Sequence, residues 1–142
     1  MLIVPVIMSG GAGTRLWPVS RAAKRGIIVK GGGALEAVER DRLARAFPDG
    51  LSPASLRRRL LDPATLPATA PRAAALAASL AARRFAVHLL DAAPADDAVG
   101  LPVAAALLVD LDEGPVPVAA GYACRTGRDA ALEAALLEAA QS

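Results

Sequence analysis

Aromatic residues are scarce, at 3% of the 142 residues. A core built almost without them gains little area per side chain, so burial has to come from many small contacts. Cysteine is scarcer still. The single Cys124 excludes an internal disulfide and fits a reducing compartment. Long apolar runs are missing: LIVPVIM at 2–8 and VAAALLV at 103–109 fall far short of the about 20 residues that span a bilayer. No basic stretch precedes the first of them, so no secretory signal is read there, and the cytoplasm is the expected compartment. Neither charge sign dominates. Sixteen basic and fourteen acidic residues leave +2, too even to indicate nucleic acid by bulk charge.

What the chain does have is apolar residues, 54% of the total, with alanine throughout. That excludes a disordered chain and predicts one domain with a thin core and modest stability. The sharpest basic run, Arg57-Arg58-Arg59, reads as the solvated face of a short helix. His88 shares a strand face with Ala86 and Leu90 and has no evident metal-binding neighbour in sequence. Cys124, with no histidine linked to it, reads as a small structural side chain.

The pattern predicts a strand over 2–8, a glycine-rich loop over 9–14, and a junction within 22–33. Helices follow over 34–47, where Arg42 interrupts the apolar stripe, and from the Ser52-Pro53 cap through Leu61. Pro63, Pro67 and Pro71 read as an extended connector. A helix is expected over 72–83, strands over 85–90, 101–110 and 115–122, and a last helix over 127–141, with Thr126 and Asp129 as its capping box. The fold class expected is α/β: a small mixed sheet, antiparallel over 85–121, with helices mainly on one face.

Two stretches carry chemistry. In SGGAGTR, Gly10, Gly11 and Gly13 let backbone amides approach a phosphate, and Arg15 can pair with it bidentately. PVIMSGGAGTRLWPVSR, residues 5–21, resembles the opening of the mannose-1-phosphate guanylyltransferases, a family of sugar-nucleotide pyrophosphorylases. The resemblance implies a nucleotide-phosphate loop whose arginine, Arg15, assists pyrophosphate departure. In ALEAVERD, 34–41, Glu36 and Glu39 share a helix face, with Arg40 at its edge. Carboxylates beside a guanidinium suit Mg²⁺ and the phosphates it carries, and an ordinary salt-bridged helix face also has this look.

With GLPVAAALLVD and GYACRTGRDAALEAALLEAAQS, that box makes residues 33–142 resemble the YcaO-domain family. The resemblance implies ATP- and Mg²⁺-dependent phosphorylation of a peptide amide oxygen. A Cys, Ser or Thr side chain then attacks to give an azoline, or sulfide attacks to give a thioamide. Glu36, Glu39 and Arg40 match the family's Glu-x-x-Glu-Arg box, and Gly100–Val103 its Gly-x-Pro-Val strand. Glu138, Gln141 and Ser142 match its closing helix. Implied ATP contacts are Glu36, Glu39, Arg40, Glu138 and Gln141, with Glu36, Glu39 and Glu138 as metal ligands; no catalytic group is assigned. The chain departs from the family where Lys24, Ile28 and Ala134 stand for its asparagine, glutamate and arginine.

The expected organisation is a pyrophosphorylase-like strand and loop, 1–25, joined to a partial YcaO-like domain, 26–142. A peptide substrate or partner protein is implied, with no nucleic acid, no membrane and oligomer formation open. Phosphoryl chemistry depends on several cations placed together, so activity of the isolated chain is not expected. The alternatives are a guanylyltransferase fragment and a non-catalytic peptide-docking scaffold.

Overall fold

Proline opens helices in this chain. Its missing N–H costs nothing in a first turn, where amides have no intrahelical partner, and its fixed φ suits the helix. The computed structural model describes residues 34–48, 50, 52–94 and 100–142. Helix α1 is Ala34–Ala46 and α2 is Pro53–Arg59. A 3₁₀ turn, Pro63–Thr65, leads into the short α3, Leu66–Thr69, and then α4, Pro71–Ala82. The connector expected to be extended is therefore helical. Pro63, Pro67 and Pro71 each fall in the first two positions of a helical segment.

Capping bears out the second helix. Ser52 Oγ accepts from the Ser55 N–H at 3.1 Å, and Ser55 Oγ accepts from the Ser52 N–H at 3.0 Å. The last helix, α5, Arg128–Gln141, begins differently from expectation. Its N-cap is Gly127, with no side-chain cap. Asp129 instead accepts the N–H groups of Arg72 and Ala73, at 3.2 and 2.9 Å, so it caps α4 from a neighbouring helix. An Arg72–Glu133 ion pair runs alongside. Alanine at the N-cap of α4 offers no acceptor of its own, and Asp129 supplies one.

Three strands form the sheet in the order β1-β2-β3: Phe85–Asp91, Val103–Asp110 and Val118–Cys124. Both pairings are antiparallel, with Asp91 opposite Ala104 and Val103 opposite Cys124. The antiparallel portion expected from sequence is thus the whole sheet among the described residues. The strand expected over 2–8 lies outside them, as do Gly10, Gly11, Gly13 and Arg15. At the β2–β3 turn, Asp110 accepts from the N–H groups of Asp112 and Gly114, at 2.9 and 3.0 Å.

Strand side chains alternate between two buried faces. Leu89, Ala104, Ala106, Leu108 and Ala123 pack on α4 and α5, against Leu80, Leu132 and Leu136 among others. Leu90, Val103, Ala105, Tyr122 and Cys124 pack on α1, against Leu43, Ala46 and Phe47. Helices α3, α4 and α5 gather on the first face, as expected. Arg59, read as solvated, is half-buried. It donates to the carbonyls of Asp91 and Ala93, at 3.2 and 2.6 Å, and lies 5.2 Å from the Phe47 ring centre. Among the described residues no helix is long and apolar enough to cross a membrane.

Alanine on both partners lets α5 come close to β3, and Gly121 lets it come closest. A Cβ there would overlap Ala135 O and Ala139 N and meet Glu138 Cβ at 3.0 Å. Gly121→Ala is expected to cost about 1–3 kcal/mol through overpacking. A urea midpoint unchanged by the substitution would contradict the close approach.

Candidate nucleotide site

In an antiparallel ladder alternate residues of an edge strand turn their N–H and C=O outward. Arg125 N donates inward to Pro102 O at 3.2 Å, so the N–H of Cys124 points away from β2. Glu39 Oε2 accepts it at 3.1 Å. Helix α1 thus reaches from one face of the sheet to the outer edge of β3.

Helix α5 reaches the same edge from the opposite face. Ser142 Oγ lies 3.4 Å from Ala120 O and 3.0 Å from Glu138 O, tying the helix end to the strand. Glu138 lies against Gly121 and acts electrostatically on Tyr122. The Tyr122 phenol is pushed up to about 12, first by burial and then by the Glu138 charge. Tyr122 and Cys124 are two residues apart, about 7 Å along a strand. Glu39 therefore reaches β3 at Cys124 and Glu138 reaches it at Gly121 and Tyr122, from helices on opposite faces of the sheet.

The other residues of the sequence-based site distribute around this edge. Glu36 occupies a position in α1 one turn before Glu39. Arg40 is half-buried, and Gln141 is exposed one turn beyond Glu138. Gly100 has φ 68°, in the left-handed region where glycine is favoured, and opens the segment leading into β2. The phosphate-loop residues Gly10, Gly11, Gly13 and Arg15 lie outside the described residues.

Arg42 stands beside Glu39 on α1 and was not among the residues assigned to the site from sequence. It is 2% exposed, and its Nη1 donates to the carbonyl of Leu101. Its signal in the sequence was a charge in the apolar stripe of a helix, three residues after Glu39. Cys124 bears out its structural reading. It is buried, and burial pushes its thiol up; Arg42 and Arg125 oppose that push and Glu39 adds to it. The neutral thiol is a poor nucleophile and a poor metal ligand.

Carboxylates are hard donors, and Mg²⁺ takes one or two of them while phosphate oxygens and water complete its shell. Glu39 and Glu138 fit that demand. Among the described residues no three His, Cys, Asp or Glu side chains gather as a site held by protein alone. A separate cleft of about 170 Å³ opens where β1 ends and β2 and α5 begin. Leu61, Leu90, Leu101, Val103 and Leu132 make its walls, with Asp91 and Arg128 as polar groups.

A family model described as YcaO cyclodehydratase, ATP- and Mg²⁺-binding, matches residues 31–142. A second, described as nucleotidyl transferase, matches residues 4–46, overlapping the first along α1. No curated protein matches the chain, and no solved structure does.

Tyr122 is the single tyrosine of the chain, so its phenolate absorbance reports one group. Its folded value stands above the unfolded 10.0, so the stabilising contribution is whole below that pH and is lost as pH rises through about 12. Stability should fall by about 2 kcal/mol across this window, and Tyr122→Phe should remove that loss. A phenol titrating near 10 in the folded protein would contradict its placement beside Glu138.

Proposed function

The chain belongs to the YcaO family, and we propose that it binds Mg·ATP along the outer edge of β3 and serves the activation of a peptide backbone amide. The observation that supports this reading best is that Glu39, from α1, holds the Cys124 N–H of β3 while Glu138, from α5, lies against Gly121 and Tyr122 of the same strand. A Mg²⁺-bearing polyphosphate turns the same arrangement into a binding face.

In this reading Glu36, Glu39 and Glu138 would each contact Mg²⁺ carried by the phosphates, not form one three-carboxylate cage, and Mg²⁺ would supply charge neutralisation of the phosphates. Arg40 pairs with phosphate oxygens, and Gln141 donates an amide N–H to the nucleotide. The chemistry is that of the family. The amide oxygen takes the γ-phosphoryl group and ADP departs; a nucleophile then adds to the activated carbon, and phosphate leaves with the former amide oxygen. The chain's own residues bind and orient the nucleotide. The substrate is a peptide, and the compartment is the cytoplasm, in keeping with a buried neutral thiol.

A second reading has one observation behind it: the nucleotidyl transferase match over residues 4–46. It makes the loop of Gly10, Gly11, Gly13 and Arg15 a phosphate grip within a leading unit, 1–25, ahead of the YcaO-like unit, 26–142. Pyrophosphate release from GTP and mannose 1-phosphate, abolished by Arg15→Ala, would support it. Absence of release would dismiss it.

The principal test is thermal unfolding with Mg·ATP. At a hundredfold excess over Kd, binding should stabilise the folded chain by about 2.7 kcal/mol. Glu39→Gln keeps an acceptor for the Cys124 N–H but removes the charge. It should retain the ligand-free melting temperature and lose most of the nucleotide response. ATP with EDTA should give little shift. An intact protein indifferent to millimolar Mg·ATP would end this reading.

A further inference from the structure

Arg42 is the one charged residue in the buried set of the described residues. Taking a guanidinium out of water is costly, and one stays buried only where its partners hold it. The partners of Arg42 therefore decide what it does.

The contacts of α1 suggest what that is. Arg42 and Glu39 are three residues apart and project from one side of the helix. Glu39 accepts from the N–H of Cys124, at the end of β3. Arg42 donates to the carbonyl of Leu101, at the entry to β2. Val103 and Cys124 face each other in the register, and Arg125 N closes on Pro102 O just beyond. Helix α1 thus grips the end of the β2–β3 ladder at two points, Cys124 at the end of β3 and Leu101 two residues before β2. Leu43, Ala46 and Phe47 seat the helix by packing, and the two polar anchors set its roll more closely than packing alone. The charges of Arg42 and Glu39 both bear on the Cys124 thiol, so all three groups share a small volume.

We propose that Arg42 is a positioning residue of the nucleotide site: its hold on Leu101 sets the roll of α1, and so aims Glu39 and its neighbours at the outer edge of β3. The inference rests on the Mg·ATP reading above and assigns Arg42 no contact with the nucleotide.

The experiment compares wild type, Arg42→Met and Arg42→Lys in ligand-free melting and in Mg·ATP titrations monitored by thermal shift. Arg42→Met leaves the Leu101 carbonyl without its donor and Glu39 without a neighbouring cation, so its ligand-free melting temperature should fall, and the affinity is read on the protein that remains folded. Its apparent Kd for Mg·ATP should rise tenfold or more, with a higher Mg²⁺ midpoint. Arg42→Lys should recover part of the affinity, since it keeps the charge and one donor. A merely structural role would move the ligand-free melting and leave the affinity of the folded protein alone. Wild-type affinity in Arg42→Met overturns the proposal. Should that variant not fold, wild-type affinity in Arg42→Lys overturns it, and a weakened affinity at unchanged melting temperature supports it. A wild type that ignores Mg·ATP overturns the underlying reading as well, an outcome distinct from a variant that binds normally.

Discussion

The outward N–H of Cys124 is the point on which the arrangement turns. An edge strand presents backbone donors that need partners, and a carboxylate is a strong acceptor for one of them. Glu39 takes that donor across 85 positions of sequence. The bond draws α1 onto the face opposite α5, so the sheet is covered on both sides. It also holds an acid at the sheet edge, where burial alone would not keep one. The charge-assisted bond offsets part of the cost of a half-buried carboxylate.

Small side chains make the rest of the geometry possible. Large residues in the strands would hold α5 off and leave Glu138 away from the edge. Alanine on both partners, with Gly121 at the tightest point, removes that spacing. The core is correspondingly thin. Among its largest fully buried side chains, Phe47 and Leu43 anchor α1, and Leu132 and Leu136 anchor α5. A few leucines and one phenylalanine carry the packing that alanine positions but cannot supply. Composition, sheet contact and the position of Glu138 are therefore one problem with one solution.

Much of this was legible in the sequence, and the failures have common causes. Strand and helix spans follow from period and from turn residues, and the Ser52 cap could be read directly from its neighbours. Local signals fail where a partner lies far away in sequence. Asp129 looks like a cap for its own helix, yet two uncapped N–H groups at the start of α4 compete for it and win. The spaced prolines read as an extended connector because proline breaks helices. Set four apart, they fall instead in the first two positions of a 3₁₀ turn, a single helical turn and the 12-residue α4. Arg42 interrupts an apolar stripe in sequence, and only the carbonyl of Leu101 gives the interruption a purpose. Helix period paired Glu36 with Glu39 and Glu138 with Gln141, and the family resemblance grouped the two helices at one site. That Glu39 takes the Cys124 N–H was not legible, because it depends on which N–H groups of β3 face outward.

Electrostatics joins these observations. Glu39 brings a negative charge to the Cys124 end of β3, and Glu138 brings one to Tyr122. Arg42 and Arg125 act on the Cys124 thiol beside Glu39 and oppose its charge there. Arg125 is exposed, its guanidinium lying on the carbonyl of Cys124 at 2.8 Å, whereas Arg42 is enclosed. The enclosed cation works without much screening, and the exposed one is weakened by water and salt. A divalent ion bearing phosphates would act on the same carboxylates more strongly than either guanidinium. The edge of β3 is thus a place where the fold carries acid held by backbone contacts.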